Sequence, residues 1–105
     1  MQNSKAKIRM KKMLLAGGCF KDEVYNCEVL KYDTQEERIY LVLKDSEEIS
    51  LDGIYQCIIY QGEHGLACEG RILERFRNHK GNILHFQVEK GFYKININCV
   101  DKKET

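Results

Sequence analysis

The stretch Gly53-Ile54-Tyr55-Gln56-Cys57-Ile58-Ile59-Tyr60-Gln61 decides the fold class. It is rich in β-branched and aromatic residues, with a glycine ahead of it, and Tyr55, Cys57 and Ile59 fall on one side of a period-two repeat. Gln61-Gly62-Glu63-His64-Gly65 follows and reads as a turn. A second strand then runs across Leu66–Phe76, with Leu66, Cys68 and Ile72 on one side and Glu69, Arg71 and Arg75 on the other.

Working outward, the same period recurs on both flanks. Tyr25, Cys27 and Val29 alternate with Asn26 and Glu28, and the polar segment 32–38 suits a hairpin turn. Ile39, Leu41 and Leu43 make the next strand, with Tyr40 and Val42 on its other face, and Lys44–Glu48 reads as a loop. On the far side, Asn78–Asn82 is a turn containing Gly81, and Leu84, Phe86 and Val88 alternate with His85 and Gln87. A tight Glu89-Lys90-Gly91 turn leads to Tyr93, Ile95 and Ile97. Six strands joined by short polar turns, with no helical runs between them, predict an all-β antiparallel barrel or sandwich rather than alternating βαβ units.

The N-terminal stretch has two readings. Ala6, Met10, Met13 and Leu14 sit at i, i+4, i+7 and i+8 over residues 5–16, with Ser4 as a cap and Gly17 after the end, which predicts a short helix. Alternatively, Lys11–Leu15 begins a first strand. The residues do not separate the two. The expected organisation is a basic arm or helix over 1–22, a barrel over 23–100 and a charged tail over 101–105.

At 105 residues the chain fits one domain, and a domain of this size buries enough surface to fold without metal or disulfide. The hydrophobic fraction of 43% and charged fraction of 31% are those of a globular protein. A net charge of +1 conceals an uneven distribution. Lys5, Lys7, Arg9, Lys11 and Lys12 stand without an acid in residues 1–12, so twelve basic and sixteen acidic side chains remain for the rest of the chain. Such an arm is either a solvated terminus or a contact for anions, nucleic acid included.

Cysteines 19, 27, 57, 68 and 99 are odd in number and form no C-x-x-C pair. Cys27, Cys57 and Cys68 lie in apolar strand-like runs and read as small buried hydrophobes in a reducing compartment, which points to the cytoplasm. Met13–Cys19 loosely resembles a lipoprotein cleavage site. Its apolar run of about six residues is shorter than an export signal requires, and no segment has transmembrane length.

Motifs for chemistry are lacking. His64, His79 and His85 show no metal-ligand spacing, so neither metal nor cofactor is expected. Ser46 and Ser50 have no G-x-S-x-G context, and the pairs Glu36-Glu37 and Glu47-Glu48 fall in charged loops. Gly17-Gly18 is too short to cradle a phosphate. An enzyme is not expected. The sharpest binding candidate is Arg71, Arg75 and Arg77, placed by strand phase on one face, where guanidinium forks suit phosphate or carboxylate. Tyr40 and Phe92 are candidate stacking partners for a base, or else core residues.

The phrases Tyr25–Val29, Ile39–Leu43, Cys68–Phe76 and Phe86–Ile95, in this order, resemble the PilZ-like split barrels. The likeness is nearest to the N-terminal domain of YcgR-type flagellar brake proteins and covers about residues 24–97. It implies a small six-stranded barrel in a bacterial signalling role. Cyclic di-GMP-binding members carry R-x-x-x-R ahead of the barrel and [DN]-x-S-x-x-G on a later strand. Arg71-Ile72-Leu73-Glu74-Arg75 matches the first formally, but within a strand, and the second is absent.

The resemblance therefore implies a regulatory or protein-interaction module with a protein partner. A single-stranded nucleic-acid-binding barrel using Lys5–Lys12, and a divergent cyclic di-GMP sensor using Arg71 and Arg75, are the alternatives. The sequence pI of about 7.6 counts against a dedicated nucleic-acid binder. An incompletely closed barrel would leave an edge for a homodimer.

Overall fold

The computed structural model describes residues 3–13, 23–44 and 49–96. These form six strands: β1 (Lys5–Met13), β2 (Val24–Asp33), β3 (Arg38–Leu43), β4 (Gly53–Gln61), β5 (His64–Asn78) and β6 (Gly81–Asn96). All neighbours pair antiparallel, and the ring closes in the order β1-β2-β3-β6-β5-β4. The all-β barrel expected from the alternation is thus the architecture observed.

Turn chemistry sets the hairpins. Gln61 pairs with His64 across Gly62-Glu63, and Gly62 takes the positive φ of 61° that the first position of a primed turn requires. In the β2–β3 turn the Asp33 carboxylate accepts from the amides of Gln35 and Glu36, at 3.0 and 3.2 Å. Asn78 does the same for the Lys80 amide at 2.8 Å, ahead of β6.

Inward side chains fill the ring. Ile8, Val29, Ile39, Leu41, Tyr55, Cys57, Ile59, Cys68 and Phe86 are fully buried, and Ile49 is packed with them ahead of β4. Tyr55 reaches beyond the core to donate to the Ser50 carbonyl at 2.7 Å. No buried side chain among the described residues is polar or charged.

Two expectations change. Lys5–Met13 is a strand hydrogen-bonded on both sides, to β2 and β4, rather than a helix or an arm outside the barrel. Its inward residues are Ala6, Ile8 and Met10, at period two. A bulge between Met10 and Lys12 then shifts the register, so Met13 returns to the inside. That odd step is what gives Ala6, Met10 and Met13 their helix-like spacing.

Glu89-Lys90-Gly91 is likewise not a turn, because β6 runs through it as one strand of 16 residues. Register shifts against β5 between Ala67, Glu69 and Gly70 absorb the extra residues and let the long strand coil around the barrel. The expected strand end at Ile97, the tail 101–105, Cys19, Cys99, Gly17-Gly18, Ser46 and Glu47-Glu48 lie outside the described residues. No helix among the described residues is long and apolar enough to cross a membrane.

Candidate functional site

The arginine row does not assemble. Residues directly opposite in an antiparallel pair share a face. Arg71 stands opposite Gln87, on the outside, while Arg75 stands opposite the buried Leu84 and Arg77 opposite Asn82. The bulge between Ile72 and Glu74 makes the switch, leaving Leu73 as the extra residue. Arg71 therefore lies on the outer face, 3.3 Å from Glu89, and Arg75 and Arg77 continue the inner phase beyond the core. Arg75 donates to the Ile49 carbonyl. The shared face expected from simple alternation is corrected by one inserted residue.

The two aromatic candidates divide as well. Phe92 packs against the core, with its ring edge-on to Tyr32 at 5.4 Å. Tyr40 lies on the outer face, where its ring meets His85 at 4.3 Å, and His85 meets Phe76 at 5.2 Å. His85 Nδ1 lies 3.6 Å from Glu74 Oε2. His64, the first residue of β5, and His79, in the turn before β6, are both exposed.

The basic residues of β1, by contrast, are drawn into register. Lys5 is opposite Glu28, Lys7 opposite Asn26 and Ile58, Arg9 opposite Val24 and Gln56, and Lys12 opposite Ile54. All four point outward, and alternate residues of a strand lie about 7 Å apart. Lys11 occupies the bulge. What reads in the sequence as an unstructured basic arm is a cationic stripe on a barrel wall.

One end of that stripe opens into a groove of about 530 Å³, lined by Lys5, Lys7, Asn26, Glu28, Lys44 and Tyr60, with Asn3 at the edge. Ala6 and Cys27 also line it; their side chains turn inward, so their backbone forms the floor. Lys7 Nζ lies 5.6 Å from the centre of the Tyr60 ring, within cation–π range. Lys44 Nζ sits 2.9 Å from Glu28 Oε2. Three lysines thus face one carboxylate, and the groove is positively charged. It suits an anion with an apolar or planar part that rests on Tyr60.

Sequence reasoning missed Lys44, Asn26 and Tyr60. The outward phase of Tyr60 was readable from Tyr55, Cys57 and Ile59, but its place beside Lys7 depends on closure between β1 and β4.

Cys57 faces Cys68 across the β4–β5 pair, and the hydrogen bond between them together with burial pushes the Cys57 thiol well up. Burial raises Tyr55 above the usual tyrosine range, with the nearby Tyr25 adding to it. No group of three or more His, Cys, Asp or Glu among the described residues is placed to hold a metal ion. Comparison with protein-family models, with curated proteins and with solved structures finds no match for this chain.

Proposed function

We propose that this barrel is a non-enzymatic regulatory or protein-interaction module of PilZ-like type, and that its partner presents negative charge to the outer face of β1. The observation that carries the reading is the register of β1, which lines Lys5, Lys7, Arg9 and Lys12 along one wall and ends them in the Lys44–Tyr60 groove. A cytoplasmic, reducing location belongs to this reading.

A second reading, binding of single-stranded nucleic acid, draws on the same stripe. Cations at intervals of about 7 Å beside an aromatic ring match the needs of an extended phosphodiester with one base stacked. Direct sensing of cyclic di-GMP is supported less, because Arg71 and Arg75 stand on opposite faces.

Anisotropy titrations with a labelled oligoglutamate peptide, a labelled oligothymidylate and labelled cyclic di-GMP discriminate these. The first reading expects the peptide to bind and a Lys5→Glu/Lys7→Glu variant to lose it. Oligothymidylate binding that falls steeply between about 50 and 200 mM salt would select the second. Saturable cyclic di-GMP binding that survives the Lys5/Lys7 reversal would overturn both.

A further inference from the structure

The second half of β5 has a ladder partner on one side only. The β4–β5 pairing runs from Gln61–His64 to Tyr55–Gly70, whereas the β5–β6 pairing continues to Asn78–Gly81. Among the described residues, Arg71–Asn78 thus presents its other edge without a paired strand, and Arg75 meets the Ile49 carbonyl at its inner end. From Leu73 to Lys80 every residue is exposed. Leu73 at 47% and Phe76 at 39% are among the most exposed large apolar side chains described. A strand edge of this kind is a template for a further strand.

We propose that the Leu73–Asn78 edge docks an extended segment of another protein by strand addition, and that the segment carries an apolar residue between two acidic ones. The side-chain order sets this pattern. Phe76 lies on the outer face beside Ile83 and His85, so the residue set opposite it is apolar. Arg75 and Arg77 flank it on the other face, so the residues on either side of that apolar one meet guanidiniums and are acidic.

A second copy of this chain is the poorer occupant. A two-fold antiparallel pair places each residue opposite one of equal phase. Centred on residue 74, 75, 76 or 77, it sets Glu74 on Glu74, Arg75 on Arg75, Arg75 on Arg77, or Arg77 on Arg77. Each register juxtaposes like charges, which is destabilising.

The test uses the full chain with two labelled peptides, identical except for Glu-Val-Glu or Lys-Val-Lys at the centre. The Glu-Val-Glu peptide is expected to bind and to slow amide exchange across Leu73–Asn78. Arg77→Glu should weaken it about ten-fold and remove most of the preference over the Lys-Val-Lys peptide. Phe76→Ser, a second exposed change, should weaken binding of the Glu-Val-Glu peptide while the thermal transition stays in place. The proposal is overturned by absence of binding, by protection at β1 instead of β5, or by equal affinity of wild type and Arg77→Glu. It is also overturned if sedimentation shows a dimer whose β5 amides are already protected without peptide.

Discussion

Gly70 is the position where a single methyl group should do most damage. It lies on the inner phase of β5, opposite Tyr55 on one side and Val88 on the other. A Cβ built there would stand 1.9 Å from the Gln87 carbonyl oxygen, 2.9 Å from its carbon and 3.1 Å from the Phe86 ring. The Gln87 peptide would have to withdraw by about 1 Å merely to reach 3.0 Å. It is not free to do so.

The Gln87 side chain accepts from Arg38 Nε at 3.0 Å and donates to the Glu36 carbonyl at 2.9 Å, and the Val88 amide donates to the Glu37 carbonyl at 2.9 Å. Overpacking costs about 1–3 kcal/mol, and one or two disturbed ladder bonds about 1 kcal/mol each. The lower entropy of the unfolded alanine chain returns about 0.4–1 kcal/mol. The net for Gly70→Ala is a loss of about 1–4.5 kcal/mol, or roughly 5–25 °C in Tm. Gly91→Ala is the control, since nothing lies within 4 Å of its Cβ position, and its effect should stay within about 1 kcal/mol of zero. Urea melts followed by far-UV circular dichroism measure both. A Gly70→Ala protein within about 1 kcal/mol of wild type would refute the close approach of β6 that the reasoning rests on.

Two further outcomes arise from the buried ionisable groups. Cys57 and Tyr55 both titrate higher in the folded state than unfolded, so their contribution to stability is complete below the unfolded values of about 8.5 and 10. It is lost as pH rises through the folded ones, and urea midpoints should decline from about pH 8.5 upward by at most about 1.4 kcal/mol per pH unit for each group; a flat profile to about pH 10.5 would contradict it. Cys27, Cys57 and Cys68 are buried, so a thiol reagent at neutral pH should modify them only at the rate of unfolding, with full reaction in urea. Rapid labelling of any of the three in the native protein, located by peptide mapping, would show that the barrel wall opens.

Alternation made most of the barrel legible. Tyr25, Cys27 and Val29, then Ile39, Leu41 and Leu43, then Tyr55, Cys57 and Ile59, all turn inward as period two requires. The misreadings share one cause. A bulge adds a residue without leaving a mark in composition, and each extra residue inverts the phase of the strand beyond it. At Lys11 it lent a strand the spacing of a helix, at Leu73 it divided three arginines between two faces, and around Glu69 it let β6 pass a glycine that read as a turn. The groove was hidden for a different reason. Lys5, Lys7, Asn26, Lys44 and Tyr60 come from separate stretches of the chain, and only the pairing of β1 with β4 brings the tyrosine to the lysines.

The order of strands around the ring also bears on how the chain assembles. β2 with β3, β4 with β5 and β5 with β6 are joined by short turns and can zip locally. The seams β1–β4 and β3–β6 instead join residues as far apart in sequence as Ala6 and Ile59, or Arg38 and Gln87. Their loop-closure entropy is spent before their contacts form, which places folding in the millisecond-to-second range of barrels with non-local pairing. During that interval the edge of β1 that belongs against β4 stands open. At high protein concentration the β4 edge of a neighbouring chain competes for it, so β1 is the element whose exchange would give rise to domain-swapped species on refolding.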